Sequence, residues 1–459
     1  MNYLINRSII KIAAQFAPGI NDPEDYGNIS DELSPGDFAN WVIQEHDAQR
    51  AGKHYDVRFG KNKLFSFATR KEMPEPGQQI ALYPQPLHEG AYADFEGTIT
   101  SGYGAGKVKK KDRGEILITR VSPRNIRFVL AHKKEPEVFN LVKLKDKKTN
   151  HPYWLMRNIT PTEPIKYKKT HFIKIPAEEI DKLMTPEHVL SAKIDGAAGF
   201  ARLMKDNVDI LSYRTNKAGK PIVHTHRMGL GGKIEIPKHL QGKTYRGEIY
   251  GEHANRAISA QELGGLLNAT VANSLKKQRD KDIKMRMALF GVAGDENDFI
   301  EQPISERRKA IDEALKYLPK DVFTKPPYAE TKEEKRKLWD MIRKKKSLLT
   351  REGVVGYPVG GGKPVKVKLF KDYDVYIREM FPAMEGKYKD NAVGGFKYSI
   401  DRDGPIVGKV GTGFSDELRR DMYKNPGKYI GRVAVVRAQG QFPSGALRVP
   451  SLHAIHEDY

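Results

Sequence analysis

The chain has 459 residues, no cysteine, and 79 lysines and arginines against 58 acids, a formal charge of +21. Disulfides, cysteine zinc sites and thiol nucleophiles are therefore excluded, and the length calls for roughly two to four domains. The basic excess runs along the whole chain rather than in a tail, a field that attracts polyanions, nucleic acid first among them.

Residues 1–36 read as a lead segment. Its start, "MNYLINRSIIKIAAQFAPG", is interrupted by Asn6, Arg7 and Lys11, which predicts a short amphipathic helix rather than a targeting peptide. No apolar run approaches the roughly 20 residues of a membrane span. A cytoplasmic, nucleoid-associated or viral protein acting in a host cytoplasm is expected, not a secreted one. From Phe38 to about Leu155, short strand patterns such as "HYDVRFG", "KLFSFAT", "GEILITRV", "NIRFVLA" and "VFNLVKL" alternate with glycine turns, which predicts a barrel or sandwich. "NITPTEPIKYKKT" reads as a linker. From about 170 to 375 strands and helices mix, an α+β pattern. Ser259 with Glu262, and Thr331 with Glu334, are spaced as capping boxes. From about Asp374 to Tyr459 a small all-β segment follows. The expected boundaries are 37–160, 168–374 and 375–459.

Lys193, in "SAKIDGAAGF", stands at a strand end before a glycine turn. An amine nucleophile must be neutral when it attacks, and nearby cations or desolvation favour that form. Alone, the lysine reads as a turn residue. Arg214 follows one hairpin later, Glu248 sits on a strand in "YRGEIYG", and Glu352 heads another in "REGVVGY". Lys366 and Lys368 share a strand face because side chains alternate with period two. Two lysines on one face suit a polyphosphate, two carboxylates suit Mg²⁺, and Phe290 offers a ring for a base. Nearer the start, "IQEHDAQRAGKHYDVRF" supplies His46, His54 and Asp56, a set suited to Mn²⁺ or Zn²⁺. Arg58 shares the strand face of Asp56, and His88 comes later. Spacing alone fits ordinary surface histidines equally well.

The order of these residues resembles the covalent nucleotidyltransferase superfamily of ATP-dependent DNA ligases, RNA ligases and capping enzymes, over roughly residues 170–459. The resemblance implies an α+β, ATP-grasp-like adenylation core followed by an OB fold. It makes Lys193, in a K-x-D-G signature, the residue that takes AMP from ATP. It gives Arg214 a ribose and phosphate contact, Glu248 the ribose side and a share of Mg²⁺, Phe290 the adenine, Glu352 the metal, and Lys366 and Lys368 the phosphates. "GKVGTGFSDELRRD" and "SGALRVPSLHAIHEDY" are similar to DNA ligases rather than to capping enzymes. The implied partner is nicked double-stranded DNA, bound by a monomer. An RNA ligase and a weakened DNA-end-binding scaffold are the alternatives.

Residues 38–158 resemble the 3′-phosphoesterase module of bacterial end-joining ligases, on "EHDA", "HYDVRF", "YADFEGTIT", "GYGAG", "KDRG" and "YWLM". The resemblance makes His46, His54 and Asp56 the Mn²⁺ ligands and places Arg58, His88 and Tyr92 around the scissile phosphate. Four departures stand out. Ala198 occupies the place of the usual ligase arginine, with Arg202 sharing its strand parity. The usual terminal Arg-x-Asp-Lys is "HEDY", so His456 and Tyr459 replace its ends and Asp458 alone matches. The spacing between His46 and His54 is two residues longer than in the family. The family's further phosphate-binding arginine, eight residues before His88, is Ile80.

Overall fold

The computed structural model describes residues 29–102, 104–168, 171–254, 256–294, 302–344, 352–383 and 391–456. Most of the lead segment, Asp458 and Tyr459 lie outside them. The chain forms two compact units: Met1–His171 with Ile194–Pro327 and Pro358–Lys363, and Phe172–Lys193 with Tyr328–Tyr357 and Pro364–Tyr459.

The first unit begins with nine antiparallel strands: β1 (Phe38–Ala48), β2 (Gly52–Gly60), β3 (Lys63–Thr69), β4 (Gln79–Glu89), β5 (Gly97–Ile99), β6 (Gly106–Ser122), β7 (Asn125–Leu130), β8 (Val138–Lys145) and β9 (Pro152–Asn158). Their order is β1-β2-β3-β4-β9-β8-β7-β6-β5, and β1 also pairs with β6. Eight strands therefore close into the expected barrel, with β5 appended to β6, and closure removes the exposed edges. Alternation sorts the residues: Trp41, Ile43, Val57, Phe59, Phe65, Phe67 and Ile80 fill the interior, while the residues between them face outward.

The same unit holds a mixed sheet that includes Val208–Thr215, Ala197–Leu203, Thr244–His253 and Lys284–Ala293. Its core is built from Ile249, Met287 and Leu289 against Leu263, Leu266 and Ile311. Barrel and sheet are packed together. Leu117, Val129 and Val138 of the barrel share a cluster with Val271 and Leu275, and Arg227 donates to the Lys134 carbonyl at 2.6 Å. Ser259 caps the helix Ala260–Leu267, but the Glu262 carboxylate pairs with Lys281 at 2.7 Å; only the Thr331 and Glu334 box is shown closed from both sides.

In the second unit a five-stranded sheet orders Ile173–Ile175, Val365–Lys368, Gly353–Pro358, His188–Lys193 and Tyr328–Ala329. The helix Lys332–Arg343 covers it with Leu338, Trp339 and Ile342. A second five-stranded sheet, Gly408–Val410, Val393–Ser399, Lys371–Pro382, Val433–Ala438 and Ser451–Ile455, encloses Val375, Phe396, Tyr398 and Val436. Five short strands of this kind fit the OB-fold expectation. The segment is not all-β, however. Ser415 accepts from the Leu418 amide and caps a helix over Asp416–Lys424, with Asp416 and Glu417 in its first turn. Among the described residues, no helix is long and apolar enough to cross a membrane.

Candidate active sites

The front site is a product of strand register. In the β1–β2 hairpin His46 pairs directly with His54, Gln44 with Asp56, and Val42 with Arg58. Gln44, His46, His54, Asp56 and Arg58 consequently share the outer face of the barrel. The two added residues keep both histidines on that face, because an even insertion preserves a period of two. The ligand atoms of His46, His54 and Asp56 lie within 4.8 Å of one another. They line a cavity of roughly 300 Å³ together with Arg58, Arg70, His88 and Tyr92.

The hydrogen bonds fix which ring atoms face the cavity. His46 Nε2 lies 2.9 Å from the Gly104 carbonyl, and His54 Nδ1 lies 2.9 Å from the Gly52 carbonyl. A carbonyl only accepts, so each neutral ring donates there and keeps its lone pair on the other nitrogen. Those nitrogens, His46 Nδ1 and His54 Nε2, each stand 3.7 Å from a different oxygen of Asp56. Two lone pairs and a carboxylate thus converge, an arrangement that a divalent cation satisfies, with the carbonyls orienting the ligands. The donor set fits Mn²⁺.

Burial opposes the charge on Asp56, but Arg58 at 3.1 Å and the two histidines hold its carboxyl well below the usual range. Burial and Arg58 push the His88 imidazole down, toward its neutral form. Its Nδ1 is 2.9 Å from both Ser66 Oγ and the Pro86 carbonyl. The Arg58 guanidinium lies 5.0 Å from the centre of the Tyr92 ring, and its buried Nε has no hydrogen-bond partner.

In the second unit Lys193 ends its strand and donates to Glu352, which also accepts from Lys368. Glu352 is 8 % exposed. Burial works against its charge, yet Lys193 and Lys368 hold its carboxyl below the usual range. Lys366 and Lys368 alternate with buried Val365 and Val367, as the pattern predicts. Burial, then Lys368, Lys174 and Lys193, lower the Lys366 ammonium. Lys193 thus stands in an ion pair with a buried carboxylate rather than among cations alone. Gly353 follows at φ +141, and a Cβ there would stand 1.9 Å from the Val367 carbonyl oxygen, so glycine seats Glu352.

Arg214, Glu248 and Phe290 belong to the first unit. Glu248 pairs across strands with Ala198 and with Ala288. Phe290 is the extra residue where Arg246 and Gly247 face Gly291 and Leu289, and such a bulge re-aims a side chain. Arg214 is exposed at the end of its strand. A Cβ on Gly196 would meet the Ile249 carbonyl at 2.1 Å, which accounts for the glycine of K-x-D-G.

Residues 44–157 match the DNA ligase D 3′-phosphoesterase domain. The front barrel is therefore similar to that domain, as the sequence motifs implied. No curated protein matches the chain. Solved structures similar to it include DNA ligases. A Lig E DNA ligase is 17% identical, over 63% of this chain and 100% of its own, with a TM-score of 0.43. The bacteriophage T7 ATP-dependent DNA ligase with ATP is 15% identical, over 64% and 99%, at 0.32. A mycobacterial DNA ligase D with ATP and MES is 15% identical, over 65% and 96%, at 0.31.

Some site residues escaped the sequence reading. Fully buried Gln44 accepts from Arg58 and donates to the Phe95 carbonyl at 2.8 Å, so it ties Arg58 to the turn that carries Tyr92. Its signal was parity with His46. Gln439 reaches Glu352 at 3.4 Å, and Lys174 pairs in register with Lys366; neither has a local signal. Arg202 does not stand in for the arginine missing at Ala198. It is paired with Asp209 at 3.1 Å, four residues along the strand and roughly 13 Å away.

Proposed function

We propose that the chain is an ATP-dependent DNA ligase whose front barrel trims 3′ ends with Mn²⁺. The observation that carries the ligase reading is the pairing of Lys193 and Lys368 with one buried carboxylate, Glu352, on a cation-lined sheet. Lys193 gives up its proton to solvent, leaves Glu352, and its Nζ attacks the α-phosphorus of ATP. A P–N bond forms, the α–β anhydride breaks, and pyrophosphate leaves. Lys366 and Lys368 hold the phosphates through charge. A 5′-phosphate oxygen at the nick then takes the AMP and frees Lys193, and the 3′-hydroxyl attacks the 5′-phosphorus and expels AMP. Glu352 would hold Mg²⁺, which when bound neutralises charge on phosphoryl oxygens. Arg214, Glu248 and Phe290 take the ribose, phosphate and adenine roles the resemblance gives them.

In the barrel His46, His54 and Asp56 would hold Mn²⁺, which when bound polarises the scissile phosphate. A phosphate oxygen would satisfy the orphaned Arg58 Nε, and neutral His88 is suited to proton transfer. The test of the ligase reading is incubation with α-labelled ATP and Mg²⁺, followed by sealing of nicked DNA and nicked RNA duplexes. Covalent label with preferential DNA sealing is expected. Protein without label would overturn the reading, and preferential RNA sealing would turn it to an RNA ligase.

A further inference from the structure

The front site has a second guanidinium at a position the resemblance does not mark. Ile80 itself is no site position. It is 5 % exposed and packs in the barrel interior, whereas the cavity lies on the outer face. Counting back eight residues from His88 would reach the outer face in a regular strand. Here β4 is irregular: Leu64 pairs with His88, but Ser66, two residues on, pairs with Gln85. One extra residue reverses the parity and turns position 80 inward.

Arg70 occupies the outer face instead. Thr69 pairs with Tyr55 and Ala68 with Asp56, so the next step along the chain brings Arg70 opposite His54. It lines the same cavity as His46, His54, Asp56, Arg58 and His88. Its Nη2 donates to the Ala51 carbonyl at 2.7 Å, which ties the guanidinium to the turn of the β1–β2 hairpin. Ala68, between Ser66 and Arg70 on that face, is small and leaves room over Asp56. The two arginines differ in commitment. Arg58 is buried and bonded to Asp56 and Gln44; Arg70 is exposed at the mouth, and its hydrogen bond to Ala51 leaves donors of its five-donor fork for a ligand.

We propose that Arg70 binds the terminal phosphate of a DNA 3′ end, supplying from β3 the clamp that Ile80 cannot. This rests on the reading of the front cavity as a phosphoester site. A 3′-phosphate monoester carries up to two charges and presents oxygens that a planar guanidinium meets in pairs. Arg58 would meet that group from within the cavity and Arg70 from its rim.

The test uses the full chain and two primer–templates that differ only in a 3′-phosphate or a 3′-hydroxyl. Binding is measured by fluorescence anisotropy in chelator, and Mn²⁺ binding by calorimetry. The parent protein is expected to favour the phosphate end about tenfold or more. Arg70→Met is expected to lose that preference while its Mn²⁺ affinity stays within about twofold of the parent, and Arg70→Lys to recover part of the preference. With Mn²⁺ present, Arg70→Met should raise KM for phosphate removal more than it lowers kcat. A parent without preference for the phosphate end would overturn the phosphoester reading itself. A parent with preference and an Arg70→Met variant that keeps it would overturn the role of Arg70 alone. Loss of Mn²⁺ binding in Arg70→Met would overturn it too, because Arg70 would then be bracing the hairpin.

Discussion

Each unit builds a site around one buried carboxylate, and the two differ in what surrounds it. Asp56 is faced by two imidazole lone pairs and one guanidinium, a set completed by a divalent cation. Glu352 is faced by two ammonium groups and an amide, a set with one positive charge in excess. They also differ in assembly. The front triad comes from a single hairpin, while Lys193 and Glu352 are 159 residues apart. A hairpin fixes its ligands through local register; the lysine site depends on strands brought together late in the chain.

The contrast can be broken most sharply at Lys193, the proposed nucleophile. Lys193→Ala is expected to remove covalent AMP labelling by at least about a thousandfold, the scale of losing a covalent nucleophile. Sealing of a pre-adenylylated nick should largely survive, and Mn²⁺ binding at the barrel should not change. Label on the variant would show that another group carries AMP. The converse experiment is His54→Ala. Loss of a ligand should weaken Mn²⁺ binding by roughly a hundredfold and abolish removal of a 3′-phosphate or 3′-ribonucleotide, with AMP labelling intact. Unchanged calorimetry would leave the barrel as a DNA-binding module.

The next effects are on stability. Gly353→Ala puts a Cβ against the Val367 carbonyl and is expected to cost about 2–4 kcal/mol. Hydrogen exchange should quicken in Gly353–Pro358 and Val365–Lys368 and stay slow in the barrel; exchange that quickens equally in both would mean that the units unfold together. The smallest effect is one of pH. Burial opposes the charge on Asp112, but His132, Lys133 and Trp41 bring its carboxyl down to about 2. Its contribution is therefore present above the ordinary carboxylate value near 4 and is lost as pH falls from there toward 2. Thermal melts of the parent and Asp112→Asn should differ at pH 6 and converge by about pH 2. Parallel curves across that window would remove Asp112 from the account.

Legibility followed the same divide. His46, His54, Asp56 and Arg58 could be read because alternation along two adjacent strands is a local property, and the barrel followed from the spacing of its turns. The face of Lys366 and Lys368 was legible for the same reason. Gln44 shared that signal through its parity with His46; Arg70, Gln439 and Lys174 had none, since each gains its place from segments distant in the chain. Glu262 shows the limit of motifs: the spacing of a capping box is present, but a lysine nineteen positions on, Lys281, competes for the carboxylate. The helix at Asp416–Lys424 carried a visible cap in Ser415 and was hidden by the short strands around it.

The packing of the barrel on the sheet of its own unit bears on how the protein can be taken apart. Cutting after β9 would uncover Val271 and Leu275 on one product and Leu117, Val129 and Val138 on the other, and would strand the Arg227 guanidinium that donates to the Lys134 carbonyl. The rest of the chain prepared alone would then tend to self-associate, so a drop in the proposed sealing activity would report sticky surfaces as readily as a missing function. Point substitutions inside the barrel cavity, which leave that seam closed, are the cleaner way to silence one half while listening to the other.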